Sequence, residues 1–171
     1  MYDRQAGEVV LGRVPLPAAR LASLRLRVGL VTQEVQLFQG SLGDNQTFFG
    51  PRVPDARLIE VLAELGLGPW LRRQPGGLDT PVSAAALSAG EAQLLALARV
   101  FLRDPGLVIL DEASSRLDPV AEELLNGAFK RLLNRRTAII IAHRLATLEV
   151  MGRRCVQADG RSRRWPSTGL T

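Results

Sequence analysis

Two unbroken apolar runs, LVIL at Leu107 to Leu110 and AIII at Ala138 to Ile141, stand one helix apart in this chain. A continuous apolar run argues against a strand with one wet face, and a connection far too long for a hairpin demands a crossover. The runs, with the helical pattern from Pro119 to Leu133 between them, read as a βαβ unit whose parallel strands are buried on both faces. A third run, VGLVT at Val28 to Thr32, reads as another buried strand. Parallel sheets bind ligands beyond the carboxyl ends of their strands. Asp111 and Glu112 follow LVIL, His143 follows AIIIA, and Gln33 follows VGLVT, so four polar groups converge on one rim. Asp111 is placed there to hold Mg²⁺ and Glu112 to orient or deprotonate an attacking water. His143 can contact a terminal phosphate, and Gln33 can sense that phosphate or the metal. Each residue alone has a plainer reading, as a helix cap or a structural histidine; their shared position gives them weight.

The rest of the chain alternates in the same way. Glu8 to Leu11 reads as a short strand and Leu16 to Leu26 as an amphipathic helix started by two prolines. From Gln33 to Ala86 the texture changes to loops and short helices, beginning near Ser41, Pro54 and Gly68 and separated by Gly50-Pro51 and Pro75-Gly76-Gly77. This stretch reads as a helical subdomain, about 41–104, inserted between strands. It ends in a helix capped by Ser88, with Glu91 completing a capping box. Leu94, Leu95, Leu97, Ala98, Val100 and Phe101 form that helix's apolar side, which leaves Arg99 and Arg103 for its polar side.

The same helix start carries chemistry. LSAGEAQ, Leu87 to Gln93, sets Ser88 and Gly90 at a helix N-terminus, where free N–H groups and the dipole favour a phosphate. With the strand-acid pair LVILDE it makes half of a nucleotide site. The other half is a loop of the form GxxxxGK[ST], whose N–H groups surround the phosphates and whose lysine pairs with them. These 171 residues hold one lysine, Lys130, with no such loop around it.

Composition excludes several classes of function. A chain of 171 residues with 46% hydrophobic content supports one cored domain and is too short for a two-domain enzyme. The net charge of +5 invites nucleic acid, but five arginines (153, 154, 161, 163, 164) and Asp159 place most of it in 151–171. That stretch reads as a basic, disordered or aberrant tail, and no nucleic-acid partner is expected. One cysteine, Cys155, excludes an internal disulfide. No apolar run approaches the ~18 residues of a membrane-spanning helix.

Taken in order and spacing, VTQEVQLFQGSLGDN, LSAGEAQ, LVILDEASSRLD and IIIAHR resemble the ATP-binding domain of an ABC transporter, over Gly7 to Leu148. The resemblance implies an α/β fold, a partial P-loop NTPase (RecA-like) parallel sheet with an inserted helical subdomain, in a domain spanning 1–150. It makes Gln33 the Q-loop glutamine and a Mg²⁺ contact, with Ser88, Ala89, Gly90 and Glu91 as the signature that meets a partner's nucleotide. Asp111 becomes the Walker B metal ligand, Glu112 the catalytic carboxylate, Asp118 the D-loop aspartate and His143 the switch histidine. The implied cofactors are ATP and Mg²⁺. The implied partners are a second ABC domain, docked head to tail, and a transmembrane transporter domain, at the cytoplasmic face of the cell membrane.

LFQGSLGDN is similar to exporter-type domains. DNA-repair and chromosome-organising ATPases share the signature, but the latter put a long coiled coil where only 54 residues separate Gln33 from Ser88. Transport is therefore the expected function. The chain departs from the family pattern in three places. The phosphate loop and the adenine-stacking aromatic would precede Gly7, where only MYDRQA stands. TPVSAAA, Thr80 to Ala86, lacks the charged and glycine residues expected there, and RSRRWPSTGLT matches no family pattern. A truncated or frameshifted product is the expectation, inactive alone, with a half-site subunit that lends its signature to a complete domain as the alternative. An open sheet edge and bare apolar surface are expected to follow.

Overall fold

In the computed structural model, which describes residues 7–50, 53–83, 86–113, 117–133, 136–141, 154–158 and 161–165, the chain opens on a small antiparallel ladder. Its strands are β1 (Val10–Leu11) and β2 (Val14–Pro15). A single 3-10 turn, Leu16–Ala18, precedes helix α1 (Leu21–Arg27) and strand β3 (Val28–Val31). The continuous helix expected from Leu16 to Leu26 is therefore broken. The break lies at Ala19 and Arg20, both extended, at φ −80°, ψ 135° and φ −68°, ψ 125°.

Next come β4 (Gly40–Ser41), α2 (Leu42–Thr47), α3 (Asp55–Glu64), α4 (Gly68–Arg72) and β5 (Pro81–Val82). Helix α5 (Ala89–Arg103) leads into β6 (Leu107–Asp111), α6 (Pro119–Leu133) and β7 (Thr137–Ile141). Strands β8 (Arg154–Ala158) and β9 (Arg161–Trp165) form an antiparallel hairpin within the stretch read as a basic, disordered or aberrant tail.

The βαβ reading holds: β3, β6 and β7 pair in that order, both pairs parallel. Val31 stands beside Leu110, and Asp111 beside Ile141. One face is packed. Val31, Val108 and Leu110 are buried there, in a core continuous with Leu42, Val61, Leu95, Leu97 and Phe129. Helix α5 comes so close that a Cβ on Gly29 would stand 2.6 Å from a methyl of Val100 and 2.8 Å from the Pro105 ring. Helix α6 contributes Leu125, Ala128, Phe129 and Leu132, a one-sided spacing that points inward.

The other face corrects the expectation of strands buried on both sides. Leu30 is 57% exposed, Ile139 49% and Ile141 48%. Leu30, Ile109 and Ile139 share one row of the sheet and lie between the buried rows, so the apolar sequence is written for two coverings and only one face receives a full one. Among the described residues no strand pairs with the outer edge of β7.

The exposed row gives a first prediction. Size-exclusion light scattering of the chain as its concentration is raised should show mass growing beyond 18.6 kDa. An Ile139→Lys variant should hold near that mass. Equal growth in both proteins would exonerate this face. Among the described residues no helix is long and apolar enough to cross a membrane.

Candidate functional site

The rim beyond the strands takes shape from β3 and β6 being neighbours. Gln33 lies two residues past the end of β3, and Asp111 closes β6, both half-buried. Glu112 follows in the left-handed region at φ 49°, and its N–H donates to the carbonyl of Ile141 at 2.9 Å. A non-glycine residue rarely holds that conformation. The bond to Ile141 extends the β6–β7 ladder by one residue and holds the chain in this turn. His143, the fourth group expected on the rim, lies outside the described residues.

Gln33, Ser88, Ala89 and Glu112 line one open cleft of ≈ 480 Å³, with Gln93 and Leu117 behind them. The signature thus shares a cleft with two of the rim groups. Ser88 caps α5: its hydroxyl accepts from the Glu91 N–H at 3.2 Å, and the Glu91 carboxylate accepts from the Ser88 N–H at 2.8 Å. The expected capping box is present, and Glu91 is spent on it. Ser88 and Ala89 remain exposed, whereas Gly90 is buried. A Cβ at Gly90 would stand 2.6 Å from the Cβ of Ala121, so glycine is required there for α5 to approach α6. Asp118 caps α6, accepting from the N–H groups of Val120 and Ala121, both at 3.0 Å.

Among the described residues no group of three or more acidic, histidine or cysteine side chains gathers to hold a metal. A Mg²⁺ ion bound with a nucleotide needs only one or two protein oxygens, since phosphates and water fill the other positions. Asp111 and Gln33 stand at or just past adjacent strand ends, and of the two Gln33 lines the cleft.

Two residues of this region were misjudged or passed over in the sequence. Arg99, expected on a polar helix face, is only 6% exposed. Its guanidinium donates to the carbonyls of Gln36 (2.7 Å) and Asn45 (2.9 Å) and to the Asn45 side-chain oxygen (3.2 Å). It also stacks over Phe48, 4.7 Å from the ring centre. Burial lowers its pKa from the ordinary value, and the nearby Arg103 charge adds to that. Gln93, 5% exposed, donates from its carboxamide to the carbonyls of Thr32 (3.1 Å) and Gln33 (2.8 Å). A signal for Arg99 was available: it follows Leu95, which is fully buried, by four residues on the same helix stripe.

Comparison with known proteins fits this geometry. The family described as ABC transporter matches residues 1–115. An ATP-dependent lipid A-core flippase of Xanthomonas oryzae pv. oryzae (strain MAFF 311018) is 40% identical over 164 residues. That match covers 94% of this chain and 28% of the flippase. An uncharacterized ABC transporter ATP-binding protein of Bacillus subtilis (strain 168), YknV, is 35% identical over 94% of this chain and 27% of its own length. Among solved structures, a bacterial Atm1-family ABC exporter with ATP bound superposes with a TM-score of 0.85 at 29% identity. It is matched over 94% of this chain and 29% of the exporter chain. The chain therefore spans little more than a quarter of the length of the relatives it matches.

Proposed function

We propose a role from one premise: this chain belongs to the ABC transporter family, and it corresponds to part of the ATP-binding domain of ABC exporters. Its work is the ATP-hydrolysing step of an exporter that moves a substrate across a membrane, at the cytoplasmic face and beside a transmembrane domain. In that setting Asp111 and Gln33 contribute oxygens to Mg²⁺, Glu112 orients the attacking water and His143 contacts the terminal phosphate. Asp118 sets the start of α6 beside the partner domain. ATP and Mg²⁺ are the family's general requirements, and they react only where a phosphate loop holds the triphosphate.

The 171 residues alone contain no GxxxxGK[ST] loop. By themselves they bind ATP weakly and do not turn it over. What they offer unaided is the signature edge, presented to a nucleotide on the phosphate loop of a second ABC domain docked head to tail. The observation that carries this half-site reading is the exposure of Ser88 and Ala89 at the start of a 15-residue helix, in the same cleft as Gln33 and Glu112. The N–H groups there and the helix dipole suit an anion.

Mixing the chain with a complete ABC ATP-binding domain should raise ATP hydrolysis. Ser88→Arg, whose side chain would fill the phosphate position, should cut that stimulation at least about tenfold. Stimulation that survives Ser88→Arg would sink the half-site reading. Hydrolysis by the chain alone, abolished by Glu112→Gln, would overturn its solitary inactivity.

A further inference from the structure

We propose that Gln93 is the positioning residue for Gln33, fastening that loop to the helix that carries Ser88 and Gly90 so that the two edges of the site move as one piece. Strand β3 leaves its hydrogen-bonded partner after Val31, which pairs with Leu110. The next two carbonyls, of Thr32 and Gln33, have left the ladder at a half-buried position, where a donor is needed to hold the chain in place. Gln93 gives one carboxamide nitrogen to both, at 3.1 Å and 2.8 Å. Chemistry fixes which way this amide points, because turning it over would set an oxygen against two carbonyl oxygens.

Its own oxygen, buried, has no hydrogen-bond partner among the described residues. A residue kept there only to fill space would leave no acceptor unpaired; methionine has the same reach and none to lose. The side chain is therefore held for its two donors.

The second hold on this segment lies elsewhere. Arg99 grips the Gln36 carbonyl, and Asn45 both accepts from the Phe38 N–H and donates to its carbonyl, each at 2.9 Å. Among the described residues, the side chain that hydrogen-bonds the Gln33 carbonyl is Gln93. It stands five residues beyond Ser88 on α5, close to one and a half helical turns. A displacement of the signature edge is thus passed to the Gln33 backbone through one side chain.

The coupling rests on the nucleotide role proposed for Gln33, whereas the positioning does not, and the two are separable. Gln93→Met in the full chain keeps length and volume and removes both donors. Residue-resolved backbone order parameters from NMR relaxation are then compared across 33–46 and along α5, with the urea midpoint as a check on global stability. Order parameters at 33–35 should fall from about 0.85 to below about 0.6, while the stretch held by Arg99 and the residues of α5 stay rigid. Unchanged order parameters at 33–35 overturn the proposal. A uniform fall through α5 and the core also overturns it, because Gln93 would then serve packing alone. In the mixed-domain assay the same variant should lower kcat with KM for ATP unchanged; an unchanged kcat overturns the coupling. If the wild-type chain fails to stimulate, the half-site reading falls by itself, and the order parameters still decide the positioning.

Discussion

Arg99→Met should lower the stability of the chain by about 3 kcal/mol, read as a fall in the urea midpoint at constant slope. The substitution keeps the aliphatic stem in place and removes the charged head. Two acceptors then lose this donor outright, the carbonyls of Gln36 and Asn45, while the Asn45 side-chain oxygen keeps the Phe38 N–H. The stacking on Phe48 goes with them. Each buried acceptor left unpaired costs about 1–3 kcal/mol, and removal of a partly desolvated charge returns some of the total. Arg103 supplies an internal control. It lies over the same ring at 4.9 Å but is exposed, so Arg103→Met should cost no more than about 0.5 kcal/mol. Equal losses in the two variants would mean that burial of Arg99 contributes nothing. A loss of 3 kcal/mol is a large share of the ~5–15 kcal/mol that holds a domain folded.

Gly90→Ala should cost about 1–3 kcal/mol, and Ala121→Gly in the same chain should restore most of it. The reason is geometric. The new methyl would meet the Cβ of Ala121 at 2.6 Å, an atom fixed to the backbone with no rotamer to escape into. Helix α6 must then shift as a body, and with it Asp118, whose carboxylate caps its first turn. Thermal unfolding of both single variants and the double variant gives the coupling directly. Additive losses would place the strain somewhere other than this contact.

The three-stranded parallel core was legible because LVIL and AIII are unbroken apolar runs joined by a helix-length crossover. The signature cap was legible for a local reason: Ser88 and Glu91 satisfy each other within one turn. Arg99 was misread because its charge was taken to outweigh the spacing that sets it on the Leu95 stripe, and spacing does not name the loop that this face meets. Its partners are more than fifty residues away, on a segment with no periodicity of its own. Gln93 escaped for the same reason, since its partners are backbone carbonyls that no side-chain pattern encodes. The helix read from Leu16 breaks at Ala19 and Arg20, where extended backbone ends a single 3-10 turn before α1 starts. The bare sheet face shows a further limit: apolar runs state what a strand requires and not what is present to cover it.

The left-handed backbone at Glu112 places stability and chemistry in opposition at one residue. Glycine would hold that turn without steric cost and asparagine at little cost, whereas glutamate bears a penalty on the order of 1 kcal/mol. Directed evolution for heat resistance alone would therefore drift toward removing the carboxylate proposed to orient the attacking water. A stabilised scaffold of this chain needs that position locked before any selection begins.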